Sequence, residues 1–207
     1  MSTLIDAAWY REQGACYPDE RLAELFDRPM PVREVMTRHD GPWRSVKDAD
    51  RLWVFFRAAS QAAQALVANR AADRQVRAYC LHCGNRTVER WAARWLSDED
   101  RSAAAVWRAT ETMQEARTRA PGPARGSLWS AAFAATWAPW WAAATASRAP
   151  WWTGARVAAR AAGFAAAAAS KESEAAQTAE YRAQLADAIE ALAAEAVKEN
   201  CDEFPTR

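Results

Sequence analysis

Apolar residues recur along this chain every three or four positions, and polar residues fill the gaps. That is the period of a helix with one buried face. Ser2 is placed to cap a first helix that runs to about Gln13 and stops at Gly14. Pro18 opens a second helix through Phe26, and Pro31 a short third through Arg38. Asp40-Gly41-Pro42 then breaks the chain. Residues 1–44 thus form a segment of short helices and turns. It is expected to pack on the main body, because isolated helices this short are marginal in water. The body, residues 45–207, begins with Leu52, Phe55, Phe56, Ala59, Ala63, Leu66 and Val67 on one helical face. A helix from about Ala71 to Cys83 turns Val76, Tyr79, Cys80 and Cys83 inward, and Gly84-Asn85 ends it. Val88, Trp91, Ala92 and Trp95 form the stripe of the next helix. Ser97 followed by Asp100 resembles a capping box and starts a helix running to about Arg119.

Pro121-Gly122-Pro123-Ala124-Arg125-Gly126 cannot be helical, so residues 121–126 read as a linker between two helical blocks. Beyond it, Trp129, Phe133, Trp137 and Trp140/Trp141 share a helical stripe, which Pro139 kinks or ends. Pro150 separates that helix from one over Thr153–Ala169. The final helix carries Tyr181, Leu185, Ile189, Leu192 and Val197, with Glu180, Asp187, Glu190, Glu195 and Glu199 mainly on other faces. Ser170–Ser173 reads equally as a loop or a continuous join. No stretch alternates at period two over β-branched residues, so no strand is expected. Alanine at i, i+4 and i+7 lets helices approach closely, and tryptophan fills the wider gaps. The expected fold is all-α, a compact bundle of helical hairpins with about seven to nine helices.

Composition supports that fold. About a quarter of the 207 residues are alanine, the best helix former. Alanine, arginine and tryptophan have GC-rich codons, so a high-GC bacterial or phage genome accounts for the bias. Six of the 12 tryptophans fall between Trp129 and Trp152, and Ser127–Ser147 contains no charged residue. This run is long enough to span a bilayer, but it is built from alanine, serine and threonine and contains Pro139. A buried helical core is expected, not membrane insertion. Trp151 and Trp152, at the Pro150 corner where packing turns, are candidates for an exposed partner contact, since tryptophan is enriched at interface hot spots. The net charge is +1. Asn69–Trp95 is nevertheless basic and Lys171–Glu203 strongly acidic. The two blocks either attract each other within the fold or mark partner surfaces.

The candidate chemistry is sparse. Cys80-Leu81-His82-Cys83 is a C-x-x-C with an internal histidine, but only Cys16, Cys201 and His39 remain as further ligands, at unrelated spacing. Packing in a tight core beside Tyr79 is expected, with no metal and no cofactor. The cysteines lack the density of a disulfide scaffold and no signal peptide precedes them, which suits reduced thiols in a cytoplasm. Arg86, Arg90 and Arg94 lie on one helical face, and Arg70, Arg74 and Arg77 form a similar row. Such rows can grip phosphates or an acidic protein. More often they are solvated faces with local partners, here Glu89 and Asp73. The balanced charge argues against strong non-specific nucleic-acid binding. His39 and His82 belong to no Ser/His/Asp order, phosphate loop or HExxH motif, so no enzyme is expected.

The residues Arg74-Gln75-Val76-Arg77-Ala78-Tyr79-Cys80-Leu81-His82-Cys83 form a cysteine-bearing basic helix. Ser97-Asp98-Glu99-Asp100-Arg101-Ser102-Ala103-Ala104-Ala105-Val106 then supply an acidic-Arg-Ala helix start, and Ala155–Ala169 an Ala-Ala-rich helix. Over about residues 70–170 this order resembles a group of alanine-rich helical immunity proteins of bacteria, of the kind encoded near toxins. The resemblance implies a non-enzymatic protein that binds a toxin or effector. Glu180, Asp187, Glu190 and Glu195 are the natural charges to meet a basic partner, and Arg86, Arg90 and Arg94 an acidic one. Two alternatives remain. One is a phage or mobile-element assembly protein that self-associates through its Trp/Ala helices. The other is a nucleic-acid-associated protein using the arginine rows.

Overall fold

The first apolar residues pair as a strand. Leu4–Ile5 (β1) runs antiparallel to Met30–Pro31 (β2), with Leu4 opposite Pro31 and Ile5 opposite Met30. Ile5 and Met30 are fully buried, and pairing satisfies backbone groups that have no water there. Helix α1 (Ala7–Glu12) consequently starts later than a cap at Ser2 would place it. Asp6 takes the capping position and accepts the Trp9 N–H at 2.8 Å. The computed structural model describes residues 3–119, 130, 132–140, 142 and 173–202. Helix makes up 77% of the described residues, so this small sheet, unexpected from the pattern, leaves the fold all-α.

Gly14 ends α1 with a φ of 70°, a conformation that costs glycine little. The prolines act as their spacing predicts. Pro18 precedes α2 (Asp19–Leu25) and Pro31 precedes α3 (Val32–Thr37). The Asp40-Gly41-Pro42 break is a short 3₁₀ turn, Gly41–Ser45. It drives Trp43 into the core, where the indole N–H donates to the Leu25 carbonyl at 2.8 Å.

The stripe from Leu52 to Val67 belongs to two helices, α4 (Asp48–Ala58) and α5 (Gln61–Gln75). Ser60 divides them, its hydroxyl accepting the Ala63 N–H at 3.2 Å. Leu66 is 40% exposed as a result. No new helix begins at Ala71. Instead α5 runs on and widens into a π turn at Val76–Cys80. Gly84, at φ 79°, ends this arm, and the Asn85 side chain caps α6 (Arg86–Leu96) by accepting from Thr87 and Val88. The expected stripe Val88, Trp91, Ala92 and Trp95 is buried. The next cap lies at Ser102, not Ser97. Ser97 terminates α6, while Ser102 accepts from Ala105 and opens α7 (Ala103–Thr118). Asp100 holds that cap by accepting both the Ser102 N–H and its hydroxyl.

Residues 132–140 form α8, which runs through Pro139 without ending there. Its buried face is made of small residues: Ala132, Ala135, Thr136 and Ala138 are at most 1% exposed, as is Ala142 just beyond. The aromatic stripe sits to the side. Phe133 and Trp140 are half-buried and Trp137 is 36% exposed. The contact of α8 with the core is thus made by close backbone approach, Cys80 Sγ donating to the Ala132 carbonyl at 3.5 Å, and not by its tryptophans. The last helix, α9 (Ser173–Asp202), lies against α3, α4 and α5. Nine helices are present among the described residues, within the expected range. None of them is long and apolar enough to cross a membrane.

Two cores result. The first joins β1, α1–α4, the start of α5 and Leu185, Ala188 and Ala191 of α9. The second joins the far half of α5, the π turn, α6, α7 and α8. Helix α5 serves both, through Ala63 and Val67 at one end and Ala68, Ala71 and Ala72 at the other. Ser2, the 121–126 linker, Trp129, Trp141, Trp151, Trp152, the expected helix over 153–169 and most of the 170–173 join lie outside the described residues, as do the side chains of Glu199 and Cys201.

Candidate functional site

The acidic face of α9 meets the basic row of α5. Arg74 donates Nη2 to Glu180 Oε1 at 2.9 Å, Nε to Glu180 Oε2 at 3.3 Å and Nη1 to Asp187 Oδ2 at 2.7 Å. Arg70 donates to Asp187 at 3.2 Å and clasps both oxygens of Glu190 at 2.7 and 3.0 Å. Glu195 accepts from the Ser60 hydroxyl. Gln75 and Gln184 add two amide donors to Glu180, which is 6% exposed. Burial pulls the Arg74 pKa down, and the bonds to Glu180 and Asp187 more than reverse it. The bonds to Glu190 and Asp187 raise Arg70 against its own burial penalty, while Arg70 holds the Glu190 carboxyl below its ordinary value. Bidentate arginine–carboxylate pairs of this kind fix register as well as energy. Of the two roles open to the opposite charge blocks, the chain uses the internal one. Glu180, Asp187, Glu190 and Glu195 are engaged within the fold, and Arg77 is the exposed member of its row.

The second row points elsewhere. Arg86, Arg90 and Arg94 are exposed on α6. Their expected partners are otherwise occupied. Glu89 accepts the Gly84 N–H at 2.7 Å. Asp73 accepts from the Trp95 indole at 2.8 Å and from Arg101 at 3.1 Å, with Arg101 lying over the Trp95 ring. Arg94 pairs instead with Glu99 at 2.8 Å and Asp100 at 3.6 Å. No ion pair is formed by Arg86, Arg90 or Arg108 among the described residues.

Arg90 and Arg94 form one wall of a groove of about 390 Å³ between α6 and α7. Arg108, Glu111 and Glu115 of α7 face them, and Trp91 lies in the lining. Trp91 is 8% exposed, yet its indole N–H has no hydrogen-bond acceptor. A buried donor left unpaired costs about 1–3 kcal/mol, and native structures leave few such groups. The groove wall therefore includes a residue with a buried, unpaired donor, and its lining carries guanidinium groups of α6 and α7 and carboxylates of α7. Its charge is mixed. The pattern of the sequence singled out the α6 arginines but not Arg108 or the Trp91 N–H, because Trp91 reads there simply as a stripe residue.

The remaining candidates lie apart from these surfaces. Cys80 and Cys83 are fully buried, and burial raises both thiols, so neither is a ready nucleophile. His82 between them is exposed, so the three do not converge. No group of three or more His, Cys, Asp or Glu side chains among the described residues is placed to hold a metal ion. His39 lies 3.5 Å from a guanidinium nitrogen of Arg51, which is buried and donates to the Val35 and Trp43 carbonyls. Comparison of the chain with protein-family models, with curated proteins and with solved structures gives no match.

Proposed function

We propose that this protein is a binding module with no chemistry of its own, and that a partner protein sits in the α6–α7 groove. The observation that carries the proposal is the exposed guanidinium groups of Arg90 and Arg108, which line the groove from α6 and α7 and form no ion pair among the described residues. A partner carboxylate would pair with these guanidinium groups, which would also draw the acidic partner in. The order of helices over residues 70–170 that resembles immunity proteins includes α6 and α7. On that basis the specific version is an immunity or antagonist protein, bound to a toxin or effector through this groove. The acidic face of α9 is a poor place for the partner, since its carboxylates hold α5.

The test places a photo-crosslinking residue at Thr87, in the groove lining, and at Glu20 on α2 as a control. The crosslinked partner is identified from the native host, purified and titrated. The expected result is a Thr87-specific adduct whose affinity falls at least about ten-fold on Arg90→Glu/Arg108→Glu. An adduct formed equally from Glu20, or an affinity unchanged by the double substitution, overturns the assignment.

A second reading has an observation of its own. Trp107 is 49% exposed, its ring 5.7 Å from that of Trp140. Exposed tryptophans on α7 and α8 suit self-association through the Trp/Ala helices. Light scattering separates the two: a monomer at micromolar concentration favours the antagonist, and a stable high-order oligomer favours assembly.

A further inference from the structure

A second cavity, of about 330 Å³, opens at the other end of the molecule, away from the α6–α7 groove. Three aromatic side chains line it, Tyr10 of α1, Tyr17 of the α1–α2 turn and Trp53 of α4. The rings splay and do not stack. Tyr10 and Tyr17 meet edge to face at 6.1 Å, and Tyr10 and Trp53 are tilted by 39° at 5.5 Å. One charged side chain joins them, Asp50 in the first turn of α4, whose Oδ2 accepts the Tyr17 hydroxyl at 2.8 Å. Arg51 is not in the lining; it donates to the Val35 and Trp43 carbonyls, though its charge and that of Arg21 reach Tyr17. Burial and the neighbouring carboxylate push the Tyr17 hydroxyl well up, so the rings stay neutral.

The chemistry of such a wall is specific. Aromatic faces attract cations through the ring quadrupole, and a nearby carboxylate supplies the countercharge. Trp53 already carries one cation: the Arg57 guanidinium lies 3.9 Å from its ring centroid. Arg57 is not part of the cavity lining, whereas Trp53 is. A primary ammonium needs several acceptors to replace its water, and Asp50 is the one side-chain anion in the lining, with Oδ2 accepting from Tyr17. A methylated ammonium needs no acceptor and presents apolar methyl groups to the rings. The volume is many times the roughly 30 Å³ that a water molecule occupies.

We infer that Tyr10, Tyr17, Trp53 and Asp50 form a cage for a quaternary ammonium group. Two sources share that chemistry, a small choline-like molecule and a trimethylated lysine side chain. Calorimetry of the full chain distinguishes them, with choline, a trimethyl-lysine peptide, the same peptide unmodified, and 3,3-dimethylbutanol as the uncharged isostere of choline. The expected result is millimolar or tighter binding of choline or the methylated peptide, weaker binding of the unmodified peptide and none of the isostere. Tighter binding of the peptide than of choline identifies a protein ligand, and the reverse a small molecule. Asp50→Asn should weaken the interaction about ten-fold. Cys16 is exposed in the same lining, so a bound ligand should slow its alkylation in the unaltered protein, read by peptide mapping. Absence of heat with both charged ligands, equal binding of the isostere, or unchanged Cys16 alkylation at saturating ligand overturns the inference.

Discussion

Replacing Arg74 by methionine keeps the aliphatic stem and removes the charge that faces α9. Glu180 would then remain 6% exposed with only the Gln75 and Gln184 amides as donors, and Asp187 would retain Arg70 at 3.2 Å. Removing one member of a fully buried pair costs about 3–5 kcal/mol, because the other is left uncompensated. Arg74 is itself 33% exposed, so water screens part of the interaction in the native protein. The cost should therefore fall near about 2–3 kcal/mol. For a chain of this length that is a loss of roughly 5–10 °C in Tm. Glu180→Gln should cost less, about 1–2 kcal/mol, since its amide oxygen still accepts from Arg74 and one glutamine, although its NH₂ then faces one donor of each kind. The double substitution should cost less than the sum, with a coupling energy of about 1–2 kcal/mol. Urea unfolding of the four proteins, followed by far-UV circular dichroism, measures the cycle. Arg182→Met is the control. That side chain is 76% exposed and 3.9 Å from Asp48, so its loss should stay within about 0.5 kcal/mol. A cost below about 0.5 kcal/mol for Arg74→Met, or a coupling indistinguishable from zero, would refute the claim that charge holds α9 to α5. Packing of Leu185, Ala188 and Ala191 would then carry the contact alone.

Two further outcomes follow from the same structure. Ser102→Ala removes the side-chain acceptor for the Ala105 N–H and the donor to Asp100, and should destabilise by about 1 kcal/mol in urea unfolding, whereas Ser97→Ala should have little effect. Asp40, Asp100 and Glu190 are held below their ordinary carboxyl values, chiefly by bonds from Arg38, Ser102 and Arg70 respectively. With depressed folded pKa values, the unfolded chain binds protons first. Their contribution is thus complete above the unfolded values of 3.8 for Asp and 4.5 for Glu, and is lost as pH falls through the lower folded ones. Tm should be flat from pH 7 to 5 with respect to these groups and drop below about 4.5, the drop shrinking in Glu190→Gln.

The helical period, the proline starts and the glycine stops were legible because each acts over a few residues. Pro18, Pro31, Gly14 and Gly84 behave as local stereochemistry requires, and Val88, Trp91, Ala92 and Trp95 form the stripe their spacing shows. Local signals failed where two of them competed. Ser97 and Ser102 are both plausible caps, and Asp100 decides between them by bonding Ser102. The run from Leu52 to Val67 has one apolar face throughout, so periodicity alone does not reveal the cap at Ser60.

Of the binding surfaces, the sequence supplied the arginine rows and the acidic last helix, but it left open whether they met each other or a partner. That choice depends on which helix lies beside which, over separations of more than 100 residues, as between Arg74 and Glu180. The cage residues were hidden for the same reason: Tyr10, Tyr17 and Trp53 come from three elements and form no motif. Even the tryptophan-rich run changes meaning in three dimensions. Its uncharged composition predicts burial, yet in α8 the small residues occupy the interior and Trp137 reaches the surface. Composition and period determine that helices form and which of their residues are apolar. Only the packing of one helix on another determines which apolar face goes inside, because alanine permits the closest approach and the larger rings must take the space that remains.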